Sequence, residues 1–419
     1  MRARRLMLLL TVAMMTAVTT QAAEAHPGRD DEAVDYHEWA GGWAFHEGTL
    51  AGLAIERGGL RIDRPIGTIE HTEPKLGTTR TYEYGQWTSP SYRLKFDATQ
   101  LIASWNARTP EKTWLQVEAK GRTGTGAETA WYTMGRWANG DADIKRTSVD
   151  GQSDANAFVD VDTLVMKSGV TLKSYRLRVS LYREAGTRET PSVTSLGAMA
   201  SHVPDRFDVQ ATTPGRARGI ELPVPPYAQN LHKGQFPEYG GGGENWCSPT
   251  STEMVAEYWG KRPKPADMTW IPSGYVDPTV AYAARYTYDY AYDGTGNWPF
   301  NTAYAASLGL RGHITRLHSL NELESYIARG IPVITSQSFR AEELDGAGYG
   351  TSGHIMVVIG FTADGDVIAN DPASSSNDRV RNVYKRAQFE TIWQRTKRYT
   401  ASGGVASGPG GIAYIITPW

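Results

Sequence analysis

Cys247 is the only cysteine among 419 residues, and it lies in the stretch NWCSPTSTEMVAEYW at residues 245–259. Pro249 suits the first turn of a helix, where its missing N–H costs nothing, and apolar residues follow at helical spacing from Met254. The sequence therefore predicts that Cys247 lies at or just before the N-terminus of a helix. Unpaired N–H groups and the positive end of the helix dipole favour a thiolate there, which lowers a thiol pKa below its free value of about 8.5.

A lone cysteine has a second interpretation, because a buried thiol behaves as a small hydrophobic group. The residues around Cys247 favour the reactive alternative. The preceding stretch EYGGGGENW is a glycine-rich approach that leaves backbone free to come close to a ligand. A helix start is also usually exposed, which makes it an unfavourable position for a buried core residue. Cys247 is therefore our candidate nucleophile.

A nucleophilic thiol needs a base, and His354 is the candidate among nine histidines. It alone begins an apolar strand, HIMVVIGF, directly after the glycine-rich loop GAGYGTSG. An imidazole at such a strand end can reach a thiol at a helix tip. The alternative is a strand-end histidine whose ring is satisfied by backbone groups.

Asp371 is the third candidate, because Asp364-Gly365 is a strong β-hairpin signal. The returning strand brings Asp371 near the level of His354, where a carboxylate would hold the ring tautomer and stabilise the imidazolium. Asn370 is the alternative, since side chains alternate along a strand and only one of the two can face the ring. Taken alone, Asp371 also fits an ordinary turn.

Gln229 in VPPYAQN precedes the cysteine and completes the set. Its side-chain amide and the backbone N–H of Cys247 could together donate to the oxyanion of a tetrahedral intermediate. A single glutamine is weak evidence, but its order ahead of the cysteine, histidine and aspartate strengthens it.

These segments resemble the papain-like cysteine peptidases typified by the bacteriocin-processing, double-glycine leader peptidases, in particular their secreted stand-alone relatives. The shared motifs are VPPYAQ, WCSPTSTEMVAEYWG, GIPVI, GHIMVVIGF and IANDP, within residues 220–395. The resemblance implies Cys247 as nucleophile, His354 as general base and acid, Asp371 as orienting residue and Gln229 as oxyanion donor.

Two features depart from the pattern of that family. Ser248 stands where the family commonly has glycine, and the insert GQFPEYGGGGEN lengthens the approach to the cysteine. Neither departure removes a catalytic atom, but both bear on the shape of the substrate groove.

The elements that must position these residues lie in the second half of the chain. SLNELESYIARG predicts a helix capped by Ser319 and Glu322, IPVITSQ predicts a buried strand, and residues 354–372 predict a hairpin. The fold class is thus α+β, and residues 220–419 form the expected papain-like cysteine peptidase domain.

A different pattern fills residues 40–198, where apolar and polar residues alternate with period two, as in YRLKFDA and SYRLRVSLYR. TWLQVEAKGR, AWYTMGRWA and AFVDVDTLVM each read as one further strand between turn-rich clusters. We expect an antiparallel β-sandwich accessory domain. The stretch from Ala200 to Tyr227 carries five prolines and no sustained periodicity, and residues 199–219 form the expected linker.

The first 25 residues have the basic start, apolar run and small-residue site of a secretory signal peptide. No later stretch offers the roughly 20 apolar residues of a membrane span, so we expect a secreted protein without one. The net charge of −2 gives no reason to expect nucleic acid as a partner. The sequence carries no signal for the oligomeric state.

The sequence offers zinc no ligand set, since it has neither paired cysteines nor a His-Glu-x-x-His motif. Aspartates at 141, 143, 150, 154, 160 and 162 leave calcium as an option, but their spacing fits no EF-hand loop. We therefore predict no metal and no cofactor.

The expected activity is cleavage of peptide bonds through a thioester, on a peptide or protein substrate that includes cell-wall peptide as an option. Transglutaminase-like acyltransferases and NlpC-type wall endopeptidases also run thioester chemistry, so the triad alone does not select water as the acceptor. A non-catalytic alternative is a surface-glycan binding protein. Seven of thirteen tryptophans precede residue 140, although we expect most of them in the sandwich core.

Overall fold

The computed structural model describes residues 33–419, so the predicted signal peptide at residues 1–25 lies outside the described residues. The first part of the described chain is almost entirely β-structure, as its period-two pattern predicts. Its elements are β1 Ala33–Ala40, α1 Gly41–Phe45, β2 Thr49–Ala51, β3 Leu53–Glu56, β4 Gly59–Ile62, β5 Gly67–Glu73, β6 Thr78–Thr88, β7 Tyr92–Ala98, β8 Gln100–Arg108, β9 Thr113–Thr123, β10 Tyr132–Trp137, β11 Ala157–Asp160, β12 Thr163–Met166, β13 Leu172–Glu184 and β14 Ser192–His202.

These strands form two antiparallel sheets within residues 33–202. One runs β11-β12-β8-β14-β4-β3, with β1 also paired to β14. The other runs β10-β9-β13-β6-β2, with β5 on β6 and β7 on β13. Side chains such as Leu101 and Leu196 from the first sheet share a core with Val117 and Leu177 from the second, so we call this part the sandwich. Strand β14 continues to His202, so residues 199–202 of the predicted linker are strand.

Most of the seven early tryptophans serve this core. Trp131 is partly exposed beneath the guanidinium of Arg178, 4.3 Å from its ring, and Trp43 is 86% exposed. The other members of the set are buried, namely Trp39, Trp87, Trp105, Trp114 and Trp137.

The stretch AFVDVDTLVM is not one strand, as predicted, but the hairpin β11–β12. Asp160 pairs with Thr163, and Val161 between them has a φ of 53°. That left-handed conformation is rare for a β-branched residue, which is why no turn signal is visible in the sequence.

The second part of the chain mixes helices with one six-stranded antiparallel sheet, β15-β22-β16-β17-β18-β19. Its strands are β15 Arg311–Arg316, β16 Val333–Phe339, β17 Thr351–Phe361, β18 Val367–Asn370, β19 Arg381–Tyr384, β20 Lys397–Tyr399, β21 Val405–Ser407 and β22 Ile412–Thr417. Its α-helices are α2 Cys247–Tyr258, α3 Pro278–Thr287, α4 Trp298–Ser307, α5 Leu320–Ile327 and α6 Arg386–Gln394. Short 3-10 turns cover Gln229–His232, Gly243–Asn245, Pro265–Met268, Ala341–Glu343 and Asn377–Arg379.

The predicted elements of this part are present. Helix α5 is capped by the Ser319 hydroxyl, which accepts from the N–H of Glu322 at 3.3 Å. The Glu322 carboxylate reaches back to the N–H of His318 at 2.7 Å instead of that of Ser319, which shifts the predicted capping box by one residue. The hairpin β17–β18 turns at Gly365, with a φ of 88°.

Helix α4 and strand β15 join the two parts. Phe300 of α4 packs edge-on against Trp105 and Trp137 inside the sandwich core. The side chain of Asn106 in β8 hydrogen-bonds both backbone groups of Gly312 in β15, at 2.8 and 3.2 Å. Core residues therefore cross the predicted division between residues 198 and 220.

None of the helices among the described residues is long and apolar enough to cross a bilayer.

Candidate active site

Cys247 is the first residue of α2, as the sequence predicts. Its side chain is partly exposed, whereas Trp246 before it is buried and donates its indole N–H to the carbonyl of Tyr239 at 2.7 Å. Within residues 33–419 the backbone N–H of Cys247 donates no hydrogen bond, as is usual in a first helical turn. The buried tryptophan thus anchors a helix end that presents the thiol at the surface.

His354 lies between Cys247 and Asp371. Its Nε2 is 2.8 Å from Oδ1 of Asp371, and Cys247 is close enough to the ring to raise its pKa together with Asp371. Because Nε2 faces the carboxylate, Nδ1 is the nitrogen that remains for the sulfur. The structure therefore brings three of the four predicted residues close together.

The hairpin positions the histidine and the aspartate. His354 lies in β17, and Asp371 directly follows β18, where its N–H donates to the carbonyl of Val380 at 2.8 Å. Asn370 turns the other way and donates its side-chain N–H to the carbonyl of Val224 at 3.2 Å. Of the two alternatives at this strand end, it is Asp371 that faces the ring.

The helix that carries the cysteine packs across the same sheet. Helix α2 lies against β17, and the Ser251 hydroxyl donates to the carbonyl of Ile355 at 3.3 Å. Its residues 248–256 are buried all round, including polar ones, so burial extends beyond the apolar residues at helical spacing. This packing fixes the distance between the helix start and the strand end.

The electrostatics of the site favour an ion pair between His354 and Asp371. Burial by itself would lower the pKa of His354, but the Asp371 carboxylate and the Cys247 thiol outweigh burial and raise that pKa to about 10. Burial likewise opposes ionisation of Asp371, yet the His354 ring and hydrogen-bond donors hold its pKa below the usual range. The ring is therefore charged at neutral pH, beside the thiol and a carboxylate.

Two tyrosines, absent from the sequence analysis, complete the surroundings of Asp371. Its Oδ2 accepts from the hydroxyls of Tyr349 at 2.9 Å and Tyr384 at 2.7 Å, while Oδ1 also accepts from the N–H of Ala373 at 2.9 Å. The Tyr349 ring additionally packs edge-on to His354, with centroids 5.6 Å apart. Tyr349 belongs to the glycine-rich loop noted in the sequence, but Tyr384 lies in β19 with no signal to mark it.

Gln229 is buried in the 3-10 turn that precedes the approach to the cysteine. Its Nε2 donates to the carbonyl of Glu244 at 2.7 Å, its backbone N–H donates to the carbonyl of Pro372 at 2.8 Å, and its Oε1 is buried without a partner among the described residues. One amide N–H of the side chain remains for another acceptor. Gln229 is thus tied both to the segment before Cys247 and to the residue after Asp371.

The glycines of EYGGGGENW leave room for neighbouring backbone of the same chain, whereas the sequence suggested that they leave room for a ligand. A Cβ on Gly243 would lie 2.5 Å from the Cβ of His232 and 2.6 Å from the carbonyl oxygen of Gln229. Gly242 has a φ of 118°, and a Cβ there would lie 2.8 Å from the nitrogen of Gly234. Residues with side chains could not bring this segment so close to Gln229.

Ser248, the departure from the family pattern, is buried and its hydroxyl lies 2.9 Å from the hydroxyl of Tyr414 in β22. Within residues 33–419 no group of three or more His, Cys, Asp or Glu side chains is arranged to hold a metal ion. Two of the aspartates considered for calcium have other partners: Asp141 pairs with Arg285 at 2.8 Å, and Asp154 accepts from backbone N–H groups.

Comparison with solved structures finds distant likenesses. A Bacillus anthracis protein described as C39-like peptidase is 16% identical with a TM-score of 0.29, over 48% of this chain and 98% of that one. The carbohydrate recognition domain of Emp46p, potassium-bound, is 13% identical with a TM-score of 0.20, over 37% and 89%. Carbohydrate-binding modules of the β-sandwich superfamily are 10% identical with a TM-score of 0.16, over 39% and 55%. TM-scores this low carry no argument about the present fold.

Two family models match the chain, one in each part. Residues 35–201 match the peptidase C39 N-terminal domain, and residues 221–401 match the peptidase C39-like family. The comparison with curated proteins yields no match. The two models together span the sandwich and the segment that holds Cys247, His354 and Asp371, and the chain therefore belongs to the C39-like peptidase family.

Proposed function

We propose that the protein is a secreted cysteine peptidase that hydrolyses peptide bonds through a thioester, with a papain-like domain over residues 220–419. The observation that carries the proposal is the His354 ring between the Cys247 thiol and the Asp371 carboxylate, at 2.8 Å from the latter. The family match supports a peptide or protein as substrate.

In the proposed first step, the thiolate of Cys247 adds to the carbonyl carbon of the substrate. The carbonyl oxygen takes the negative charge and accepts hydrogen bonds from the N–H of Cys247 and the remaining amide N–H of Gln229. The proton on Nδ1 of His354 passes to the substrate nitrogen as the C–N bond breaks. The acyl group is left on sulfur as a thioester, and the amine departs.

In the second step, water replaces the amine. His354, now neutral, takes a proton from the water as its oxygen adds to the thioester carbon. The C–S bond breaks, the new carboxylic acid departs, and the thiolate–imidazolium pair is restored. Asp371 keeps Nε2 protonated and stabilises the charged ring throughout, without itself taking the proton.

The test incubates the wild type and Cys247→Ala with a peptide library and with purified cell wall, in water enriched in ¹⁸O, followed by mass spectrometry. We expect the wild type alone to release peptides with ¹⁸O in the new terminal carboxyl group. Products joined to an added amine, without ¹⁸O, would identify an acyltransferase. Cleavage by both proteins would contradict the assignment of Cys247, and cleavage by neither would contradict the proposed peptidase function.

A further inference from the structure

The loop between α3 and α4 is held by the sandwich. Asp289 is buried, and its Oδ1 accepts from the backbone N–H of Ser148 at 3.0 Å, across the junction of the two parts. The same oxygen accepts from the N–H of Tyr292 at 3.2 Å, and Oδ2 accepts from the Asn297 side chain at 2.9 Å. One buried carboxylate therefore links this loop to the sandwich.

A second link comes from the β11–β12 hairpin. The buried Asp162 accepts from the N–H of Trp298, the first residue of α4, at 2.8 Å. Val161 before it has the left-handed φ of 53°, a conformation that persists only where the surroundings hold it. Burial raises the pKa of Asp162 to about 7. The hairpin thus has a strained turn whose aspartate fixes the end of the α3–α4 loop.

The other side of the loop meets the approach to Cys247. The Thr295 hydroxyl donates to the carbonyl of Asn245 at 3.0 Å, two residues before the cysteine. A Cβ on Gly240 would lie 3.5 Å from Cα of Gly294. The loop is therefore clamped between the sandwich and the segment that leads into α2.

Tyr292 is the exposed aromatic side chain of this loop, and Asp293 beside it is exposed as well. Its ring folds over Gly294 and Gly296, where a Cβ would lie 2.8 and 3.7 Å from it, and the residue is still 48% exposed. Burial raises the pKa of its hydroxyl, and the neighbouring Asp162 and Cys247 raise it further. The exposed aromatic ring thus lies over the two glycines that flank Thr295, the residue bonded to the segment two residues before the thiol.

We infer that Tyr292 is a specificity-determining residue that contacts the substrate side chain next to the scissile bond, and that the sandwich holds it there through Ser148 and Asp162. This inference rests on the proposed peptidase function. An exposed aromatic face on a loop bonded to the approach to the thiol offers flat apolar area, so an apolar or aromatic substrate side chain is the chemistry that it fits. It also gives the accessory sandwich a role as one support of the substrate site.

The experiment measures kcat and KM of the full chain on peptides that differ only in the residues flanking the cleaved bond. We expect Tyr292→Ala to raise KM for apolar flanking residues about tenfold with little change in kcat, because packing area is lost, and Tyr292→Phe to match the wild type. Alkylation of Cys247 by iodoacetamide, too small to need the ring, should keep its rate in both variants.

Asp162→Ala should reproduce the KM increase of Tyr292→Ala, while Asp160→Ala, on the exposed side of the same hairpin, serves as its matched control. Asp162→Asn keeps an acceptor oxygen for the N–H of Trp298 and should have the KM of the wild type. This variant keeps the role of Asp162 testable if Asp162→Ala does not fold. Equal KM in the wild type and Tyr292→Ala across all peptides would overturn the inference. Absence of cleavage by the wild type would instead overturn the proposed function.

Discussion

The charge on His354 depends mainly on Asp371. Burial lowers the pKa of the ring, but the Asp371 carboxylate, with a further contribution from Cys247, raises it to about 10. Asp371→Asn removes this charge, so we expect the ring to lose its proton at a clearly lower pH. In the wild type kcat/KM should fall only near pH 10, whereas in the variant this alkaline limb should move toward neutrality, with a loss of about 10²-fold at pH 7.

The pH profile of kcat/KM for peptide cleavage measures both the position of the alkaline limb and the loss at pH 7 in Asp371→Asn. Asp378→Asn is the matched control, because it removes the same charge from an exposed site in the neighbouring 3-10 turn. An alkaline limb that stays in place in Asp371→Asn would show that another group sets the charge of His354.

Tyr384 supports the same carboxylate. A hydrogen bond to a buried charge contributes about 1.5–3 kcal/mol, so we expect Tyr384→Phe to lower the free energy of unfolding by that amount at pH 7. Because the folded-state pKa of Asp371 is depressed, its stabilisation is present above the unfolded pKa of about 3.9 and is lost as pH falls through the folded value. In urea unfolding, the difference in the free energy of unfolding between Tyr384→Phe and the wild type should narrow at pH 3. Tyr399 is an exposed tyrosine, so Tyr399→Phe should not lower the free energy of unfolding at either pH.

The sequence predicts the catalytic candidates better than their supports. Cys247 stands out because it has no partner cysteine, and Asp371 because a hairpin brings it back to His354. Tyr349 and Tyr384 do not stand out, since a tyrosine that donates to a buried carboxylate looks like any strand or loop tyrosine. The choice between Asp371 and Asn370 needed the register of β17 and β18.

At the scale of elements, the nucleophile helix carries a buried acid. Glu253 of α2 has no exposure, and its carboxylate accepts from the Tyr304 hydroxyl at 2.7 Å. Burial, with Glu257 one turn further on, raises the pKa of Glu253 well above its usual value. The folded chain thus binds a proton that the unfolded chain releases above about pH 4.3, so this group lowers stability as pH rises.

Glu253→Gln removes that proton equilibrium and keeps the shape of the side chain. We expect the variant to gain stability relative to the wild type as pH rises from 5 to 8, by up to about 1.4 kcal/mol per pH unit. Urea unfolding at several pH values measures the gain, with Glu111→Gln at an exposed site as control. Parallel stability curves for Glu253→Gln and the wild type would mean that Glu253 is ionised in the folded state.

Strand β7 was predictable because its residues alternate strictly and Arg93, Lys95 and Asp97 form an exposed face. The β11–β12 hairpin was not, because its turn uses a left-handed valine where a sequence signal would need glycine or asparagine. Its conformation depends on Asp162 and α4, which lie far apart in the chain. Local residue preferences therefore fail at the point where tertiary contacts decide the structure.

At the scale of the molecule, the prediction of two domains rests on the composition of the linker. That composition carries no information on whether side chains from the two parts pack into one hydrophobic core. The side chains of Asn106 and Ser104 in β8 accept from the backbone of β15, at 2.8 and 3.0 Å. Helix α4 places Phe300, Ala303 and Tyr304 in the sandwich core. Such contacts between residues about two hundred positions apart leave no trace in periodicity or composition.

These shared contacts predict that the two parts unfold together. Phe300 is buried against Trp105 and Trp137, and Phe300→Ala should lower the free energy of unfolding by about 3–5 kcal/mol. Hydrogen exchange at increasing urea concentration should report the same opening free energy for β8 in the sandwich and β17 beside the active site, and the substitution should lower both equally. Phe158→Ala, a partly exposed phenylalanine of β11, should change neither by more than about 0.5 kcal/mol. If β17 kept its protection while β8 exchanged, the sandwich would be an independent folding unit, and its support of the α3–α4 loop would be lost before the sheet of the active site opens.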